Sequence, residues 1–94
     1  MQIVTNRIEL EELKKMAQKM YNNIVKAVVD IEKGIMVIDA GLHADEEDIL
    51  LENGSTQENL WGINLHPTKF DSDDFIEFDS MINIRPSQGN LDRG

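Results

Sequence analysis

The plainest pattern in the chain is the alternation over residues 75–90, FIEFDSMINIRPSQGN. Ile76, Phe78, Ile82 and Ile84 fall on one side of an extended backbone, and Glu77, Asp79, Asn83 and Arg85 on the other. Successive side chains of a strand point to opposite faces, so this predicts one long, half-buried β-strand running into Pro86 and a polar loop. Residues 24–31 and 35–40 alternate in the same way and predict a β-hairpin about Lys33 and Gly34. A two-residue loop there sets Ile31 against Met36, Val29 against Ile38 and Ala27 against Ala40. That register gathers Val25, Ala27, Val29, Ile31, Met36, Ile38 and Ala40 on one face, with Lys26, Val28, Asp30, Val37 and Asp39 on the other. Residues 60–66 predict a further strand, with Trp61, Ile63 and Leu65 on one side, and Pro67 ends it.

Helical spacing replaces alternation over residues 9–22, where Leu10, Leu13, Met16, Ala17, Met20 and Tyr21 form one apolar stripe continuing to Ile24. Glu9, Glu11 and Glu12 precede Lys14, Lys15 and Lys19, the order that the helix dipole favours, and Glu11 and Lys15 form an i,i+4 pair. Asn22 and Asn23 stop this helix. A short second helix is expected over residues 46–53, or from Ala44, with Asp45 as N-cap and Gly54 as a left-handed C-cap. Ser55 and Glu58 stand at capping-box spacing. Ile3 and Val4 can pair at a sheet edge, and residues 68–74 form an acidic loop expected to be mobile. The order is α-β-β-α-β-β in one α+β domain over residues 1–94. It forms a mainly antiparallel four-stranded sheet with a helix packed on one face. The expected core holds Leu13, Met20, Val29, Ile38, Trp61, Ile63, Phe78 and Ile82.

Composition changes this picture little, and charge changes it more. Ninety-four residues support one core, and 40% apolar against 29% charged residues is ordinary globular composition. No cysteine is present, which removes disulfides, thiolate metal sites and cysteine nucleophiles. No apolar run reaches the roughly 18 residues that a membrane helix needs, and no signal peptide opens the chain, so a cytoplasmic protein is expected. The net charge of −9 is unevenly spread. Residues 1–29 carry five basic and three acidic side chains, whereas residues 30–83 carry two lysines against fourteen acids. No sizeable basic face is left for nucleic acid.

Three stretches could carry chemistry. Lys26, Asp30, Asp39, Asn64, Glu77, Asp79, Asn83 and Arg85 collect on the second sheet face, either a solvated outer surface or a polar binding floor. Asn64 and Asn83 favour the floor, because asparagine suits strands poorly. His43 and Asp45, near Asp39, are the candidate ligands for a divalent ion, or His43 is a general base. The spacing is not that of a specific metal motif, and His66 has no fixed relation to it. Asp71, Asp73 and Asp74 lack the glycine and terminal glutamate of a calcium loop. The loop Arg85-Pro86-Ser87-Gln88-Gly89-Asn90 could cradle an anion with Arg85, Ser87, Gln88, Asn90 and backbone amides, though without Walker or Rossmann glycine spacing. The alternative is that Arg85 pairs with Asp79 or Glu77.

The stretches IELEELKKMA, VVDIEKGIM, GLHADEEDILLENGS, NLWGINLHP and FIEFDSMINIRPSQGN cover nearly the whole chain. Through them the sequence resembles a family of small bacterial proteins classed only as a domain of unknown function. LHAD, LLENGS, LWGINL and INIRPSQGN are the most specific of these pieces. The resemblance implies no activity. It implies a C-terminal helix beyond the point where this chain stops, so a shorter or trimmed member is expected.

Two functions are carried forward. The first is a non-enzymatic binding or protein-interaction module, an antitoxin-like partner role being one version, using the acidic sheet face and the RPSQGN loop. A protein partner or a homo-oligomer is expected, a small anionic ligand is open, and no cofactor, nucleic acid or membrane is expected. The second is a small hydrolase or metal-assisted enzyme using His43, Asp45, Asp39 and Asp79, with Arg85 holding an anionic substrate. That reading requires His43 and Arg85 to converge on one pocket.

Overall fold

The computed structural model describes residues 1–20 and 23–94. Strand β1 (Gln2–Val4) leads into helix α1 (Leu10–Gln18), and the hairpin of β2 (Val25–Asp30) and β3 (Ile35–Ile38) follows. Helix α2 (His43–Glu52), β4 (Leu60–Leu65) and β5 (Ile76–Glu77) complete the order, with short 3-10 turns among the later segments. The sheet is antiparallel throughout and has five strands in the order β1-β3-β2-β4-β5. The expectation of four strands therefore falls one short. Ile3 and Val4 do pair at an edge, against Val37 and Met36.

The hairpin keeps the expected faces but not the expected register. Val29 opposes Met36 and Ala27 opposes Ile38, a shift of two residues, so the same side chains still share a face. Asp30 causes the shift. Its Oδ1 accepts from the amides of Glu32 and Lys33, and its carbonyl accepts from Gly34, which closes a four-residue loop over residues 31–34. Ile31, taken out of the strand, is 63% exposed.

A helix covers each face of the sheet, not one. On the first face Leu13, Met16 and Ala17 of α1 pack against Val25, Ala27, Ile38, Ile63 and Leu65. Helix α1 ends at Gln18, and the expected extension through Tyr21 and Asn22 lies outside the described residues. On the second face Leu50 of α2 is fully buried with Val28, Val37 and Leu60. The polar face is therefore not an open surface. Helix α2 starts one residue before the earlier expected start, Ala44, and three before Glu46, with Leu42 as a cap that offers no side-chain acceptor, and Asp45 falls in its first turn. Gly54 takes the expected left-handed backbone. The capping box does not form, because Ser55 donates to Asp30 Oδ2 at 2.6 Å.

The long strand over residues 75–90 is the largest correction. Only Ile76 and Glu77 pair with β4, and Phe78, placed in the expected core, is 57% exposed. Ser80 breaks the run, since its hydroxyl accepts from the amide of Ile82 and its own amide donates to the carbonyl of Arg93. Asn83, fully buried, then completes β4 by side chain. Its Oδ1 accepts from Gly62 N at 2.8 Å, and its Nδ2 donates to Gly62 O at 3.0 Å and to Arg93 O at 2.8 Å. Glycine is needed at 62, because a Cβ there would stand 2.5 Å from Ser80 Cβ.

Candidate functional site

The residues singled out in the sequence separate into two places. His43, Asn64 and Asp79 line one cleft of about 380 Å³ between the start of α2, β4 and residues 79–82, joined by Lys26 and Arg93. Arg85, Ser87, Gln88 and Asn90 do not line it.

His43 is placed by α2. Its stripe on that helix continues to Glu46 and Leu50, which puts all three against the sheet. His43 is 7% exposed, with Nε2 2.8 Å from the carbonyl of Ile63. A carbonyl only accepts, so Nε2 carries the proton and Nδ1 keeps a lone pair. Burial pushes the imidazole below its usual range, opposed by that hydrogen bond, so it is neutral at pH 7. Asn64, also 7% exposed, donates Nδ2 to Glu77 Oε1 at 3.2 Å. This fixes its amide and leaves Oδ1 buried without a donor. Glu77 is held below the usual carboxylate range by that bond and by His66.

Lys26 projects from β2 beside Asn64 of β4, its register partner. Among the described residues it has no ion-pair partner. The neighbouring carboxyl group does not supply one. Glu46 has no exposed surface, accepts only the Ala40 amide at 3.1 Å, and is pushed up to about 9, chiefly by burial. It is uncharged at neutral pH. Asp79 pairs with Arg93 at 2.6 Å, not with Arg85.

Arg85 is 7% exposed and lies over the Trp61 ring at 4.2 Å from its centroid. Its guanidinium donates to the carbonyls of Gln57 and Leu60 and to Gln88 Oε1. The amide of Arg85 donates to the Asn90 carbonyl, the Asn90 amide donates back, and Gln88 Nε2 reaches the carbonyl of Glu58. The loop thus closes on itself, and its one cation is committed to backbone oxygens. Lysine at 85 would present one ammonium to two carbonyls and lose the planar stacking. Arg85→Lys is therefore expected to cost about 2–3 kcal/mol, since buried carbonyls lose their donors. Urea unfolding followed by Trp61 fluorescence checks this.

His43 bonds to Ile63 and Arg85 to Leu60, and only His43 lines the cleft. The convergence that a hydrolase would need is not present in this geometry. Among the described residues no group of three or more histidine or acidic side chains could hold a metal ion, and Asp45 is exposed. In the sequence Lys26 is one of many polar positions, and no motif there marks Arg93 or Glu46. Glu46 could have been found from its place in the 43, 46, 50 stripe. Arg93 had no local signal, because a chain reversal brings it to Asp79.

The other face holds an apolar groove. Ile8 and Leu13, sheet residues Met36 and Ile63, and Phe75 and Ile76 enclose about 420 Å³. Leu10 and Phe70 connect it to an adjoining cleft of about 600 Å³ rimmed by Lys14 and Lys69. Phe70 stands edge-on to Phe75 at 5.0 Å and is 53% exposed. No helix among the described residues is long and apolar enough to cross a membrane.

The chain belongs to the family described as protein of unknown function (DUF5674), whose model matches residues 2–94. Comparison with curated proteins and with solved structures returns no match.

Proposed function

We propose that this DUF5674-family chain is a non-enzymatic protein-interaction module of the cytoplasm that seats an apolar segment of a partner protein in the groove beside α1. The observation that carries this reading is the open apolar groove with Phe70 and Ile76 about half exposed. A small domain that leaves such a patch uncovered has a contact surface of the kind that partners bury. Charge says what the partner looks like. Lys14, which pairs with Glu11 at 3.7 Å, and Lys69 rim the cleft adjoining the groove, with Asp71 on the same wall, in a chain whose net charge is −9. An apolar stretch flanked by aspartate or glutamate is complementary to that rim. An antitoxin-like role is one form that such a module takes. Phosphate-rich nucleic acid is not expected as a partner, since two rim lysines are far short of a basic tract.

A photo-crosslinking side chain at position 70 tests this in the living source cell, with the same side chain at Leu51 on α2 as control. The expected result is a discrete adduct from position 70, absent from position 51 and reduced severalfold by Lys14→Glu. Equal adducts from both positions, or none from position 70, overturn the reading. An adduct of twice the chain mass identifies a second copy as the occupant and also overturns it.

A further inference from the structure

Independently of the groove, we infer that the cleft at the start of α2 is a binding site for a free α-amino acid with an apolar side chain. Four observations define this ligand. First, Leu42 leaves the first turn of α2 without a side-chain cap, and Leu42, His43 and Ala44 line the cleft, so its amides and dipole favour an anionic group. Second, Lys26 lines the same cleft and has no ion-pair partner among the described residues, whereas the other two charged residues there, Asp79 and Arg93, neutralise each other at 2.6 Å. Together they suit a carboxylate.

Third, two of the residues that line the cleft, His43 and Asn64, each carry an acceptor without a donor among the described residues. Asn64 Oδ1 is buried and unbonded, with its amide orientation fixed by Glu77, and His43 keeps the Nδ1 lone pair because Nε2 is tied to Ile63. A buried acceptor without a donor is costly, and an ammonium group placed beside it removes the deficit. A simple anion cannot do this. A ligand carrying a donor next to its carboxylate can. Fourth, Ile24, Leu42, Met81 and Ile82 supply apolar walls, and about 380 Å³ accepts a side chain as large as leucine. Glu46 does not compete for Lys26, because burial keeps it protonated at neutral pH.

The test is a titration with L-leucine and its two halves, 4-methylpentanoate, which lacks the ammonium, and 3-methylbutylamine, which lacks the carboxylate. Binding is read from the His43 ring resonances and by calorimetry. L-Leucine is expected to shift those resonances saturably, and each half-ligand to bind at least about tenfold more weakly. His43 variants could fail to fold, so the decisive variant is Lys26→Met, which keeps the aliphatic stem. It should weaken L-leucine at least about tenfold while the melting temperature of the free protein is unchanged. Three results overturn the inference. They are no shift at roughly 10 mM L-leucine, binding of 4-methylpentanoate equal to that of L-leucine, or affinity unaltered in Lys26→Met. None of them bears on the groove, which the crosslink at position 70 reads separately.

Discussion

Replacing Asn83 by alanine is expected to destabilise the protein by about 3–5 kcal/mol, a large part of the roughly 5–15 kcal/mol that holds a small domain. The side chain is fully buried and makes three hydrogen bonds, each to a main-chain group. Two of them go to Gly62 in β4, where the neighbouring strand β5 no longer reaches, because it covers only Ile76 and Glu77. One amide thus performs the pairing that a strand residue would have made at that point. Alanine removes the partners and leaves both groups of Gly62 without them. Asn83→Asp separates this account from a simple loss of packing. An aspartate can accept from Gly62 N, but its second oxygen would then face the carbonyls of Gly62 and Arg93. It should be about as damaging as alanine at pH 7, and should recover part of the loss below about pH 4, where the carboxyl group regains a donor proton. Urea midpoints at both pH values, each against the unaltered protein, decide it. Equal losses at both pH values would contradict the hydrogen-bond account.

The same residue shows how much could be read without the structure. Asparagine within an apparent strand was a legible sign that position 83 had a specific task, and the task is structural. The alternation around it was real, but it did not mean an extended strand. Ser80 captures the amide of Ile82, and the chain folds back to place Arg93 on Ser80. Such local hydrogen bonds leave no trace in hydrophobic periodicity. The hairpin faces were legible because a two-residue slip preserves side-chain parity, whereas the register depended on one aspartate that held its own turn. Helix α2 was legible as a helix but not as a cover for the second face. Its buried positions are His43, Glu46 and Leu50, and two of those three would be assigned to solvent by polarity alone. The cleft was half legible for the same reason. His43, Asn64 and Asp79 stand out in the sequence, whereas the apolar groove comes from elements far apart in the chain and has no motif.

Glu46→Gln is expected to stabilise the protein at neutral and alkaline pH and to leave it unchanged in acid. The carboxyl group titrates near 4.5 in an unfolded chain and is pushed up to about 9 in the folded one, first by burial and further by Asp39. The Ala40 amide, Lys26 and the N-terminal amino group act in the opposite direction and are outweighed. Between those values the folded state holds a proton that the unfolded state has released. Stability therefore falls as pH rises through that interval, by about 1.4 kcal/mol per unit, and the favourable contribution is whole only below 4.5. Glutamine has nearly the same shape, can accept from the Ala40 amide, and carries no titrating proton. Its stability curve should coincide with that of the unaltered protein near pH 4 and separate from it steadily as pH rises, the gap levelling above about 9. Urea unfolding on a pH series measures the gap directly. Parallel curves from pH 4 to 8 would mean that Glu46 is ionised in the folded protein. An ionised Glu46 would set a negative charge within the field of Lys26, so one titration bears on both the stability of α2 and the chemistry at its N-terminus.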